Sequence, residues 1–187
     1  LIEGLAQFES VHVTPEQIKR AHSSHHQSDL LKLSPETGIN HADADTALCP
    51  DSMHAASLAA GSAVLATEQV ISKQVNNAFC SVRPPGHHAE HGFAMGFCLY
   101  NNVAIGAMHA LLQPEINRIA IVDFDVHHGN GTVDIFKDMP EVMVCSTFQH
   151  PYYPGRFHDI QRENIINCPL SAGSGSLAFR QQLEDVW

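Results

Sequence analysis

Four apolar residues in a row, Ile119-Ala120-Ile121-Val122, sit inside the segment Arg118 to Asp125. A strand with no polar position to turn toward water is expected to be buried on both faces. Val142 to Thr147 is a second apolar strand, and Asn77 to Val82 a short β-type run that must end at the loop Arg83-Pro84-Pro85-Gly86. Elsewhere the reading is helical. Thr14 to Leu33 reads as one helix, with Thr14 able to cap it, Pro15 suited to its first turn and Glu16 favourable to its dipole. Asp51 or Ser52 opens a long Ala-rich helix over roughly Met53 to Val75, whose small residues suit close packing. Asn101 to Leu112 is helical and stops near Pro114, Thr132 to Lys137 is a short helix, and the chain turns helical again from Ser174. Strands alternating with helices at this spacing predict βαβ units, and so an α/β fold with a parallel sheet covered on both sides. Ligands bind such sheets beyond the carboxyl ends of the strands, which places chemistry just after Val82, Val122 and Val144.

Composition narrows this picture. The chain has 187 residues, 44% of them hydrophobic, enough for one core and one domain over residues 1–187. Ten basic residues against 20 acidic ones give a formal net charge of -10. That argues against a nucleic-acid surface, which needs clustered Lys and Arg, whereas an acidic surface can attract a cationic substrate. No apolar run approaches the ~18 residues of a membrane span, and the start does not resemble a signal peptide. The five cysteines, Cys49, Cys80, Cys98, Cys145 and Cys168, form no CxxC pair. Reduced, mostly buried thiols in a cytoplasmic protein fit them best. The match of Asn130-Gly131-Thr132 to a glycosylation acceptor is then chance.

Three stretches carry chemistry. The first, Asp123-Phe124-Asp125-Val126-His127-His128-Gly129-Asn130-Gly131, follows the apolar strand directly. With period two, Asp123, Asp125 and His127 project to one side, and two carboxylates with an imidazole make a site for zinc, manganese or iron(II). The plainer alternative is a buried Asp125–His127 pair that merely terminates the strand. The second stretch, Arg83-Pro84-Pro85-Gly86-His87-His88-Ala89, sets adjacent histidines in a rigid loop, where they can share general acid and base duties. Each would need an orienting partner, and Asp123 and Asn130 are spare acceptors. In the third, Gly92 to Asn102, glycines let the backbone approach a ligand and Phe97 can wall a narrow apolar slot. His22, His25 and His26 read as a solvated face of a Ser-rich helix, His91 and His128 as neighbours of the site, and His150 as a loop residue.

RPPGHHA, GFCLYNN and DFDVHHGNG, in this order and spacing, resemble the zinc-dependent histone deacetylase, acetylpolyamine amidohydrolase and acetoin-utilisation family, and NCPLSAGSGSLAFRQQ resembles its sequence after the catalytic strands. The likeness runs from about His22 to Trp187. It implies an arginase/deacetylase-like three-layer fold with a central parallel sheet, and a hydrolase that removes acetyl groups with metal-activated water. By position, Asp125 and His127 resemble zinc ligands, and His87 and His88 the tandem catalytic histidines, oriented by Asp123 and Asn130. Asn130, where one branch has Asp, places the chain nearer the class II and bacterial branch. Gly96, Phe97 and Tyr153 fall along the acyl-lysine tunnel, where Tyr153 adds a hydroxyl, and Asp45 falls at its rim. Asp123, Asp125, His127 and Ser146 resemble a structural K+ or Na+ site, and Phe136 to Val142 a second one.

The chain departs from the family twice. A third zinc ligand, an Asp on a later strand, has no counterpart, nor does the Gly-Gly-Tyr whose hydroxyl polarises the substrate carbonyl. Both would lie beyond Trp187, so the domain is expected to be incomplete at its C-terminus and, since it opens on Leu1, at its N-terminus. Asp159 and His158 are weak stand-ins for the missing ligand. The expected partners are an acetylated lysine peptide, an acetylpolyamine or a small acetylated amide, with no direct nucleic acid and no membrane. An apolar edge left without later strands adds a second copy of the chain. Two rival readings are a non-catalytic binder of acylated ligands and a manganese ureohydrolase of the arginase type.

Overall fold

A computed structural model describes residues 4–186. Thr14 caps α1 (Pro15–Ala21) through reciprocal bonds with Gln17, and the helix stops at His22, whose backbone is extended at φ -120° and ψ 151°. Ser23 then caps α2 (Ser24–Leu33). The one helix predicted over Thr14 to Leu33 is therefore two. The break has a cause: the Ser23 amide donates to His91 O at 2.8 Å, and His22 leaves helical register to bury its ring against the backbone of Glu90 and Asn101.

A short antiparallel pair, β1 (Asn40–His41) and β2 (Ala47–Leu48), leads into α3 (Ser52–Ile71). The small residues of α3 allow very close packing: a Cβ added at Gly61 would lie 1.8 Å from Val11 O. This helix ends short of Val75, where the Ser72 hydroxyl donates to Glu68 O at 2.7 Å and Lys73 turns to φ 59°. Asn101 caps α4 (Asn102–Ala110), which packs on α3 and α1.

The larger sheet contains β3 (Ile119–Asp123), β4 (Val142–Gln149) and β5 (Ile165–Leu170), all parallel and in that order. Helix α5 (Asn130–Phe136) connects β3 to β4 and packs on β4, and α6 (Ser176–Val186) packs on β5. The α/β reading with a parallel sheet stands. Two details differ from expectation. Among the described residues Asn77 to Val82 joins no ladder, and Phe79 is exposed. The apolar run of β3 is not buried on both faces either: Ile121 is buried, but Val122 is 48% exposed and Phe124 just beyond is 76% exposed. The reason is position, since among the described residues β3 has a neighbour on one side only and β4 is the strand enclosed by both.

One apolar core joins the layers, with Leu48, Ile105, Ile121, Val133, Phe136 and Val144 among its members. Cys98, Cys145 and Cys168 are buried, while Cys49 and Cys80 are exposed. Among the described residues no helix is long and apolar enough to cross a membrane.

Candidate active site

Strand β3 stops at Asp123 because the chain turns on its own carboxylates. The Asp125 amide donates to Asp123 Oδ1 at 3.1 Å, and the His127 amide to Asp125 Oδ1 at 2.8 Å. Such side chain to backbone bonds compete with a ladder and end it. A continuing strand with alternating side chains is thus replaced by two successive turns. They leave Asp125 Oδ1 3.0 Å from His127 Nδ1, so the two side chains face one point. Burial works to raise the Asp125 carboxyl, but the His127 amide and the rings of His87 and His127 outweigh it and hold it below the usual range.

The tandem histidines come down on this strand end from the side. His87 Nδ1 lies 2.9 Å from Asp123 Oδ2, and His88 Nδ1 lies 2.7 Å from Asn130 Oδ1. Their rings are 4.0 Å apart. Burial disfavours charge on both, with different outcomes. For His87 the Asp123 bond and charge overcome burial and raise the imidazole above its ordinary value. For His88, burial and the neighbouring His87 lower it to about 4, and neutral Asn130 offers no charge to reverse that. The ring that holds a proton more readily therefore sits beside one that holds it less readily.

Aromatic rings enclose this centre on one side. Tyr153 meets both His88 and His127 edge-on, with centroids 5.2 and 5.7 Å away, and Tyr152 stacks on His127 at 5.1 Å. Burial and the Asp45 charge push the Tyr153 hydroxyl well above the usual phenol range, so it keeps its proton. Phe97 is 59% exposed at the mouth, and its amide donates to Thr46 Oγ1 at 3.1 Å. The Gly96 amide donates to Asp45 Oδ1 at 3.1 Å. Gly96 has φ 57°, and a Cβ there would sit 2.3 Å from His88 Cδ2. Its glycine brings the backbone against the His88 ring, and not only against a ligand as predicted.

Sequence reasoning missed the supports of the site. His22 and His26, expected on a solvated face, are 1% and 3% exposed; His25 is exposed. The two buried rings stack at 4.5 Å. His22 Nε2 accepts from the Asn101 amide at 2.9 Å, so its Nδ1–H donates to Glu90 O at 2.9 Å. His26 Nε2 donates to Leu99 O at 2.7 Å. Asn101 in turn donates to Ala89 O and Thr132 Oγ1. The loop carrying His87 and His88 is thereby fastened to α1, α4 and α5. Ser23, set between these histidines as a helix cap, was the available signal for the break that buries them. His91 Nδ1 lies 3.0 Å from Ala21 O, His128 Nε2 lies 2.9 Å from Asn167 Oδ1, and His150 faces His158 with centroids 4.6 Å apart.

Metal donors can be weighed on this geometry. A carboxylate and an imidazole facing each other at 3.0 Å suit zinc. Among the described residues, however, no group of three or more His, Cys, Asp or Glu side chains could hold a metal ion, and His158 and Asp159 do not complete one. Of the residues compared with a first monovalent-cation site, Asp123 pairs with Ser146 across β3 and β4, beside Asp125 and His127. At the second, the carbonyls of Phe136, Met139 and Val142 all receive the Asn164 side-chain amide, at 2.8, 3.0 and 2.9 Å. A cation there would have to displace that amide. Replacing KCl by choline chloride should therefore lower the thermal midpoint more in Asn164→Ala than in the unaltered chain. Equal KCl dependence in both would refute this.

The histone deacetylase domain, as a family model, matches residues 1–187. The chain belongs to the histone deacetylase family. A histone deacetylase-like amidohydrolase of Pseudomonas aeruginosa is 33% identical over 178 residues, which cover 91% of this chain and 47% of that protein. The human polyamine deacetylase HDAC10 is 44% identical over 126 residues, 67% of this chain and 18% of the relative. An uncharacterised protein of Synechocystis is 41% identical over 170 residues, 89% and 55% of the two chains. Among solved structures, the HD domain of HDA15 superposes with a TM-score of 0.83 at 34% identity, covering 89% of this chain and 50% of its own. The fold is that of the family, and the chain spans about half the length of that domain and of the Pseudomonas and Synechocystis relatives.

Proposed function

We propose that this chain forms part of a zinc-dependent deacetylase that hydrolyses an acetyl amide on lysine or a polyamine. One observation carries the reading: the donor pair Asp125 and His127 lies beside two histidines, each with its Nδ1 held by a separate acceptor. Asp125 and His127 would hold the zinc, which when bound polarises the acetyl carbonyl and acidifies a water. His88 is neutral with its Nδ1–H committed to Asn130, so Nε2 is suited to take a proton from that water. His87, whose imidazole the Asp123 carboxylate holds above its ordinary value, is suited to deliver one to the departing amine. Phe97 and Tyr153 would flank the acyl chain, and Asp45 stands at the mouth to receive substrate amides. The polyamine deacetylase and amidohydrolase among the relatives support an acetyl amide as the substrate class. A cytoplasmic location goes with the reduced thiols.

The test is acetate release from an acetyl-lysine peptide and from an N-acetylated polyamine, on this chain and on a form extended to the length of its relatives. His88→Ala should lower the extended form's rate by about 10²- to 10⁴-fold, the usual worth of general base catalysis. An unchanged rate would refute the role. One second reading is favoured by the two-donor set, that of a non-catalytic binder of acylated ligands. Binding of an acetyl-lysine peptide without turnover in the extended form would establish it.

A further inference from the structure

Glu90 lies outside the residues assigned above, yet it is the most buried carboxylate near the site, and Asn130 leans on it. Its side chain is 6% exposed and pairs with the Arg156 guanidinium through two contacts of 2.9 Å, Nη2 to Oε2 and Nε to Oε1. Burial raises the Glu90 carboxyl, while the Asn130 amide and the fork-to-fork guanidinium favour its ionised form, which can only accept hydrogen bonds. Asn130 Nδ2 donates to Glu90 Oε1 at 2.7 Å, its shortest contact, with Met95 Sδ at 3.3 Å and His88 O at 3.4 Å as weaker acceptors. The backbone of Glu90 is fixed as well, since its amide donates to Phe93 O and its carbonyl receives His22 Nδ1–H.

An asparagine amide can turn either end toward a neighbour, and the end it shows decides which nitrogen of a facing imidazole carries the proton. With its NH2 drawn to Glu90, Asn130 must show its oxygen to His88 at 2.7 Å. We propose that Glu90, anchored by Arg156, is a positioning residue that locks the Asn130 amide and so holds His88 in the Nδ1–H form with Nε2 bare. The consequence for turnover rests on the deacetylase reading; the tautomer does not.

The experiment is ¹⁵N NMR of the His88 ring in the full chain at fixed neutral pH. In the unaltered protein Nδ1 should be protonated and Nε2 bare; an Nε2–H ring would overturn the proposal. Glu90→Gln should move His88 toward Nε2–H, because its single carbonyl is drawn to Arg156 and its NH2 then faces Asn130. Glu90→Ala should leave a mixture of both forms. Adding Asn130→Asp to Glu90→Ala should restore Nδ1–H, since both carboxylate oxygens accept. A single Nδ1–H form in both folded Glu90 variants would overturn the proposal, and if Glu90→Ala does not fold, Glu90→Gln decides. In the extended form, acetate release by Glu90→Gln should fall about 10- to 100-fold, as when an outer-shell partner is lost. A tautomer shift in a protein that never releases acetate would sink the deacetylase reading and leave the role of Glu90 intact.

Discussion

Zinc titrated into the 187-residue chain should bind weakly, and Asp125→Ala or His127→Ala should remove what binding there is. A four-ligand structural zinc is worth roughly 10–16 kcal/mol, or about 3 kcal/mol per protein ligand. At about 1.4 kcal/mol per tenfold, each ligand replaced by water weakens binding on the order of 100-fold. Asp125 and His127 face each other as donors, and no third donor joins them among the described residues. Calorimetry on the chain and on each variant measures this directly. Tight, stoichiometric zinc that survives Asp125→Ala would mean that the metal is held elsewhere, and the assignment of the site would fall.

Acid should unfold this protein earlier than its carboxylates alone would dictate. His22 is buried and neutral, and burial, with the nearby His26 charge, lowers it to about 3 from an ordinary 6.5. Its unfolded form takes up a proton as pH falls below 6.5 while the folded form does not, so stability is whole above that value and declines toward about 3. By that linkage the loss reaches about 2 kcal/mol at pH 5 and about 3 kcal/mol at pH 4 for His22 alone. Burial lowers His26 as well, which adds in the same direction. Against a total stability of about 5–15 kcal/mol, a loss of the size His22 contributes decides the outcome. Urea midpoints at pH 7.5 and pH 5 should differ strongly in the unaltered chain and much less in His22→Asn, whose absolute stability is lower at both. Equal differences in the two proteins would refute the attribution.

What the sequence revealed followed from local rules. Ile119 to Val122 read as a strand and Asp123 to Gly131 as its functional end because a short apolar run and its neighbours say so without reference to the rest of the chain. The tandem histidines were legible for the same reason, since RPPG must be a loop. The misreadings about burial concern partners far away along the chain. His22 looked solvated because its local company is polar, whereas its partners are Glu90 and Asn101. Glu90 carried no signal at all, because its meaning lies with Arg156, 66 residues later. Val122 was expected inside a sheet, yet its exposure is set by the number of strands beside β3, which no local pattern records.

That open flank also governs how the molecule behaves in company. Val122, on a strand whose outer backbone groups have no partner strand among the described residues, and Phe124 and Val126 just beyond it present apolar side chains together. Such an edge templates pairing with any similar strand it meets. Loss of the soluble form then follows a second-order rate law, slow when dilute and abrupt when concentrated. A holding chaperone that covers the same edge would lengthen the protein's life without touching its chemistry.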